Sequence, residues 1–238
     1  VTASTHAGAA AAIFDVDGTI ADTRSTTSLV WLRRQQHSTP RHALWLSSLA
    51  WRIPRLWLTH WISRDGDAAD RQVFRQFAGL SRERVAVDAR RCCEEVLLPA
   101  CFPGALAEMD AHRAAGRRVV LLSAGIDVVL APLAEALGAE LLAQRLVAIG
   151  DRFTGAYRSY AQLRDDEAAM GQAGRKAAVL ARYAAETGID LRASCAYGDS
   201  VNDLAMLEIV GMPIVVRPDP RLARIAGARG WDVRRWGR

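Results

Sequence analysis

Apolar and polar positions divide the chain into three stretches of different character. Residues 9–14 are a continuous apolar run that leads straight into Asp15-Val16-Asp17-Gly18-Thr19. A short apolar run ending in a turn signal reads as a buried strand. From about residue 20 to residue 100 no strand pattern is convincing, and apolar residues recur at helical spacing. Positions 45, 49, 53, 56 and 57 share one helical face, which Pro54 kinks or divides. Beyond Pro103-Gly104 the pattern alternates. It predicts helices over 105–115, 127–137, 174–186, 202–210 and 220–228, with Gly116, Gly138 and Gly188 as stops. Strands are predicted over 118–122, 194–197 and 213–216, with short strands or loop at 141–149 and 153–155 and a last strand or tail at 231–236. Residues 157–172 are polar and fit neither period. Such alternation predicts an α/β fold, a doubly wound parallel sheet with a helical insert after its first strand. Residues 1–19 and 101–238 form the core of that division, and 20–100 the insert.

Composition narrows the class. With 238 residues, half of them hydrophobic and a quarter charged, the chain reads as globular. Its net charge of +5 comes from arginines in isolated pairs, such as Arg33-Arg34 and Arg117-Arg118, rather than from a basic stripe. No nucleic-acid partner is expected, although the positive balance draws anionic substrates. The four cysteines contain no C-x-x-C pair and read as apolar fillers in a reducing, cytoplasmic setting. The first twelve residues lack the basic start and apolar core of a signal peptide. Five of the seven tryptophans (31, 45, 51, 57 and 61) fall in the insert. They suit a packed helical subdomain, or else an apolar surface for a greasy substrate or a membrane interface. Arg52, Pro54, Arg55 and His60 break the run too often for a transmembrane span.

The chemistry concentrates at a few points. In a strand, positions i and i+2 face the same side, so a strand ending in Asp15-x-Asp17 delivers two acids together. Two adjacent carboxylates need a cation to stay ionised, and Mg²⁺ favours one or two carboxylates plus phosphate oxygens. Ser123 follows a second strand, and Asp199 and Asp203 follow a third. The one lysine among 31 basic residues, Lys176, opens a helix. Lysine and arginine are not equivalent where a compact charge must enter a crowded anionic site. If these strands are neighbours, the groups meet in one crevice suited to Mg²⁺ and a phosphoryl group. Taken singly, Ser123, Asn202 and Asp203 read equally well as helix caps, and Thr19 as a turn hydroxyl.

Those stretches resemble the four motifs of the haloacid dehalogenase superfamily phosphatases, in order. Asp15-Val16-Asp17-Gly18-Thr19 is similar to the first, Leu121-Leu122-Ser123-Ala124-Gly125 to the second, Lys176 to the third and Gly198-Asp199-Ser200-Val201-Asn202-Asp203 to the fourth. The insert resembles the helical C1-type cap of the phosphoserine-phosphatase-like branch. The resemblance implies a phosphatase for a small phosphate ester, with Asp15 as nucleophile and Asp17 as general acid and base. It implies that Ser123, with the N–H groups of Ala124 and Gly125, grips the phosphoryl group, and that Lys176 neutralises charge. Mg²⁺ would be held by Asp15, Asp199 and the carbonyl of Asp17, with Asp203 acting through water or Lys176. Asn202 and Thr19 would lie near the phosphate. The chain departs from the phosphoserine pattern at Arg24, where that branch carries a Glu nine residues after the nucleophile. An arginine there favours a carboxylate or a second phosphate over an amine. The tryptophan-rich insert points to an apolar or ring-bearing leaving group, with a lipid phosphate as the alternative.

Overall fold

The computed structural model describes residues 9–36, 74–160 and 172–237. A sheet of seven strands forms its centre, in the order β4-β3-β2-β1-β5-β6-β7. The strands are β1 (Ala11–Phe14), β2 (Arg118–Ile126), β3 (Glu140–Ile149), β4 (Arg152–Arg158), β5 (Cys195–Gly198), β6 (Met212–Val216) and β7 (Asp232–Arg234). β1 lies parallel between β2 and β5, the point where the strand order reverses and where open α/β sheets leave a crevice at their carboxyl ends. The parallel arrangement extends to β3 on one side and β7 on the other. The outermost strand β4 runs antiparallel to β3, so 140–158 is a hairpin added to the parallel sheet.

Helices cover both faces, as a parallel sheet requires. Alternation along β1 sends Ala12 and Phe14 to one side and Ala11 and Ile13 to the other. The first side packs on α3 (Pro103–Ala114) and α4 (Asp127–Ala136) through Met109, Leu130 and Leu133. The second packs on α5 (Gln172–Thr187), α6 (Leu204–Glu208) and α7 (Pro220–Arg229) through Val179, Leu180, Leu207 and Leu222. All four cysteines are buried free thiols, three of them in the first core and Cys92 in a third cluster, in keeping with filler roles.

Before α3 the described chain includes α1 (Ser25–Gln36) and α2 (Arg82–Cys92), the latter running on as a wider π-turn over Cys93–Leu97. Leu29, Leu32, Phe74, Phe77 and Val85 from this stretch bury against Ile126, Val129, Leu146 and Phe153. The helical face expected at positions 45, 49, 53, 56 and 57 and its Pro54 kink lie outside the described residues. Among those described, no helix is long and apolar enough to cross a membrane.

Three local differences from the expected elements have physical causes. β2 continues past Leu122 to Ile126, because Gln144 Nε2 donates to the Ala124 carbonyl (2.8 Å) across a register shift. The helix expected over 202–210 is split, with a tight 3₁₀ turn at Val201–Asp203 before α6. The Ser200–Asp203 capping box shapes that turn. The hairpin has its outer edge covered: Gly79 N–H donates to Phe153 O (2.8 Å), Phe153 N–H to Leu80 O (3.0 Å) and Arg82 N–H to Asp151 O (2.7 Å).

Gly155 is a point at which the chain over 75–78 packs closely on the hairpin. Its φ is +80°, and a Cβ there would lie 2.9 Å from Ala78 Cβ and 3.2 Å from Arg75 Cα. Gly150 shares the left-handed conformation (φ +57°) but faces open space. Gly150→Ala is therefore expected to cost about 1–2 kcal/mol of unfolding free energy for the conformation alone. Gly155→Ala adds overpacking and should cost at least about 1 kcal/mol more. Urea titration of both variants checks this, and equal losses would remove the close approach.

Candidate active site

The site grows out of strand parity. Asp15 follows Phe14 and keeps the facing of Ala11 and Ile13, toward α5. Its own N–H donates to the Tyr197 carbonyl (3.0 Å), which holds the end of β1 against β5. On α5, Lys176 precedes Val179, Leu180 and Tyr183 at helical spacing, so its stem lies in the buried stripe of the helix. The two meet: Lys176 Nζ lies 2.5 Å from Asp15 Oδ1 and 2.6 Å from Asp203 Oδ1. Lysine and both acids are at most 8% exposed at the side chain.

Asp203 has its other oxygen engaged as well. Its Oδ2 accepts from the N–H groups of Asp199 and Ser200 and from Ser200 Oγ, each at 3.2 Å. Gly198 makes this possible, since a Cβ there would fall 2.6 Å from Asp203 Cβ. Asp219 ties the same loop from below: its N–H donates to the Asp199 carbonyl (2.8 Å) and its Oδ2 accepts from Val201 N–H (2.9 Å). Asp15, Asp199 and Asp203 thus converge, with one oxygen of each within 4.8 Å of the others.

Charge in the cluster is unbalanced. Burial, reinforced by the charge of Asp203, pushes the Asp199 carboxyl up to about 7. Burial also raises Asp15 well above the carboxylate range, against the pull of Lys176. Burial opposes the charge of Lys176, yet Asp15 and Asp203 outweigh it and hold the ammonium protonated, with help from Tyr160. Three carboxylates face one ammonium, so full ionisation needs further positive charge. Oxygen ligands of this kind suit a hard divalent cation. The turn fits that demand: Gly18 has φ +83°, and a Cβ on it would stand 2.2 Å from Asp199 Oδ2. Only a residue without a side chain lets the first and last acidic motifs approach so closely.

Asp17 is half-buried, and its Oδ1 accepts from Thr23 Oγ1 (2.7 Å). Thr19 is fully buried, and its Oγ1 has no hydrogen-bond partner among the described residues. Ser123 is buried and its Oγ accepts from Gly125 N–H (3.0 Å), which leaves its own proton to donate elsewhere. Ala124 is half-buried, and its carbonyl is the one Gln144 holds. Arg24 and Asn202 are exposed. Thr23, Gln144 and Asp219 support the site without having been picked out in the sequence. Only Asp219 carried a usable signal, as a carboxylate before Pro220 at a helix start.

A crevice at the reversal point of a parallel sheet, holding clustered acids and one buried lysine, defines an α/β enzyme with a buried acidic centre. Family comparison agrees: the model of the haloacid dehalogenase-like hydrolases matches residues 12–208, and the chain belongs to that family. A Mycobacterium tuberculosis protein named "Probable phosphatase Rv3661" is 33% identical over 227 residues, 94% of this chain and 74% of the relative. "Phosphoserine phosphatase SerB1" of the same species is 27% identical over 226 residues, 94% of this chain and 70% of the relative. Among solved structures, a protein with unknown function from Bordetella pertussis Tohama I superposes with a TM-score of 0.76 at 26% identity. That match covers 95% of this chain and 98% of the other.

Gly18→Ala should push Asp199 aside and lower the affinity for added divalent cation, Mg²⁺ being the one titrated, at least tenfold by calorimetry, while the left-handed strain costs only about 1–2 kcal/mol of stability. Unchanged Mg²⁺ affinity in a folded Gly18→Ala protein would show that the 18–199 approach does not shape the cation site.

Proposed function

We propose that this chain is a Mg²⁺-dependent phosphatase that hydrolyses a small phosphate monoester through an aspartyl-phosphate on Asp15. The observation that carries this is the buried Lys176 ammonium held between Asp15 and Asp203, within a cluster of acids at the tips of β1 and β5. Family membership supports phosphate-ester hydrolysis as the reaction class.

Lys176 takes Asp15 Oδ1, so attack on phosphorus falls to Oδ2. The new bond is Asp15 O–P, and the bond that breaks joins phosphorus to the ester oxygen. Asp17, steadied by Thr23, gives its proton to the departing alkoxide. In the second step Asp17 takes a proton from water, the water oxygen attacks phosphorus, and the Asp15–phosphate bond breaks to release inorganic phosphate. Ser123 donates its hydroxyl proton to a phosphoryl oxygen with the Ala124 and Gly125 backbone beside it, and Thr19 and Asn202 flank the phosphate. Asp15, Asp199 and the Asp17 carbonyl would hold Mg²⁺, with Asp203 acting through water and through Lys176. Bound there, the ion supplies positive charge that screens the phosphoryl oxygens and keeps the acids ionised. Residues 20–100 serve as a cap over the core formed by 1–19 and 101–238, and the exposed Arg24 would attract the anionic phosphate group common to these esters.

p-Nitrophenyl phosphate should be hydrolysed with Mg²⁺ and spared when the metal is chelated, and Asp15→Asn should lower turnover more than a thousandfold. Lys176→Arg keeps the charge but brings a broader cation into the clasp, so turnover should fall more than tenfold with the fold retained by circular dichroism. Absence of metal-dependent turnover on this ester and on a broad phosphomonoester panel would overturn the proposal.

A further inference from the structure

We propose that the alcohol released from the ester is uncharged and apolar. This rests on the phosphatase function proposed above and extends it to the substrate class. A cavity of about 30 Å³ lies against Asp17 and Gly125, the two points at which it touches the proposed phosphoryl site. The alcohol leaves on the side of the acid that protonates it, so its carbon skeleton runs from Asp17 into this space. Leu29, Phe74 and Phe77 wall it from the insert, and Ile126 and Val129 from the core. All five are buried in one apolar cluster.

Among the described lining residues, only Asp17 and Ser28 carry polar side chains. Both are engaged: Asp17 accepts from the Thr23 hydroxyl, and Ser28 hydrogen-bonds the Cys92 thiol. An ammonium or carboxylate on the leaving group would surrender its hydration here and find no opposite charge dedicated to it on the described walls. An alkyl group would lose nothing by the same transfer and gain burial. The volume corresponds to about two waters, which favours a short chain over a bulky one.

Propyl phosphate and phosphoethanolamine form a matched pair, equal in heavy atoms and differing only in a methyl against an ammonium. Their kcat/KM values, with O-phosphoserine as a third ester, test the inference. Propyl phosphate is expected to exceed phosphoethanolamine at least tenfold, and O-phosphoserine by more. Phe77→Ala, or Leu29→Ala should the first fail to fold, widens the cavity and should shift the optimum of an ethyl-to-hexyl phosphate series toward longer chains. Equal or better turnover of either charged ester overturns the inference and leaves the phosphatase proposal standing, as does an unmoved optimum in a folded variant. Failure of every ester, p-nitrophenyl phosphate included, overturns both.

Discussion

The structure turns on one buried ammonium. Lys176 reaches from the second turn of α5 into a space bounded by Asp15 and Asp203, and each contact is at charge-assisted hydrogen-bond distance. Taking ions out of water is costly, and removing one partner of such a group typically destabilises by about 3–5 kcal/mol because the other charge is left uncompensated. The lysine therefore does two things at once: it joins the β1 tip to the loop after β5, and it fixes where negative charge accumulates. The carboxylate charge it leaves unbalanced is surplus negative charge that a hard cation would offset.

Everything near that ammonium follows from the sheet. The period of two along β1 aims Asp15 at α5, and the helical period of α5 aims Lys176 back. The reversal of strand order sets β1 beside β5, so the acids from opposite ends of the chain become neighbours. Glycines at 18 and 198 remove the side chains that would keep them apart. On the other face, Phe14 stacks on Tyr197 with ring centroids 4.3 Å apart and planes within 3°. The Tyr197 hydroxyl is in turn bonded to Glu108 and to His112, both at 2.8 Å. The two strands that carry the acids are thereby pinned by packing below as well as by charge above.

Much of this was legible in the sequence. The strand–turn–acid pattern at 13–19 and 194–203 and the lone lysine at a helix start name Asp15, Asp199, Asp203 and Lys176 directly. Their types are unusual for those positions, and short local patterns place the acids at or just after strand ends and the lysine near a helix start. Thr23 and Gln144 carry no such signal, because a single polar residue in a turn or strand is common and its partner is set by tertiary contact alone. The 140–158 hairpin was harder still. Its alternation is weak, since β3 is buried on parts of both faces and β4 pairs on one side with chain from the insert. The cavity beside Asp17 had no sequence signature at all, because its walls come from residues spread between 17 and 130 and are joined only by folding.

The covering of the hairpin edge by residues 79–82 has a consequence for behaviour at high concentration. A sheet that ends in a bare strand offers a row of unpaired amides to any passing extended segment, and this is a common start to aggregation. Here the first half of β4 already has those amides matched by the chain that returns from the insert. At the opposite margin β7 is three residues long and carries Asp232 and Arg234, which are poor templates for self-association. Residues 79–82 thus blunt the margin where the protein would otherwise be stickiest.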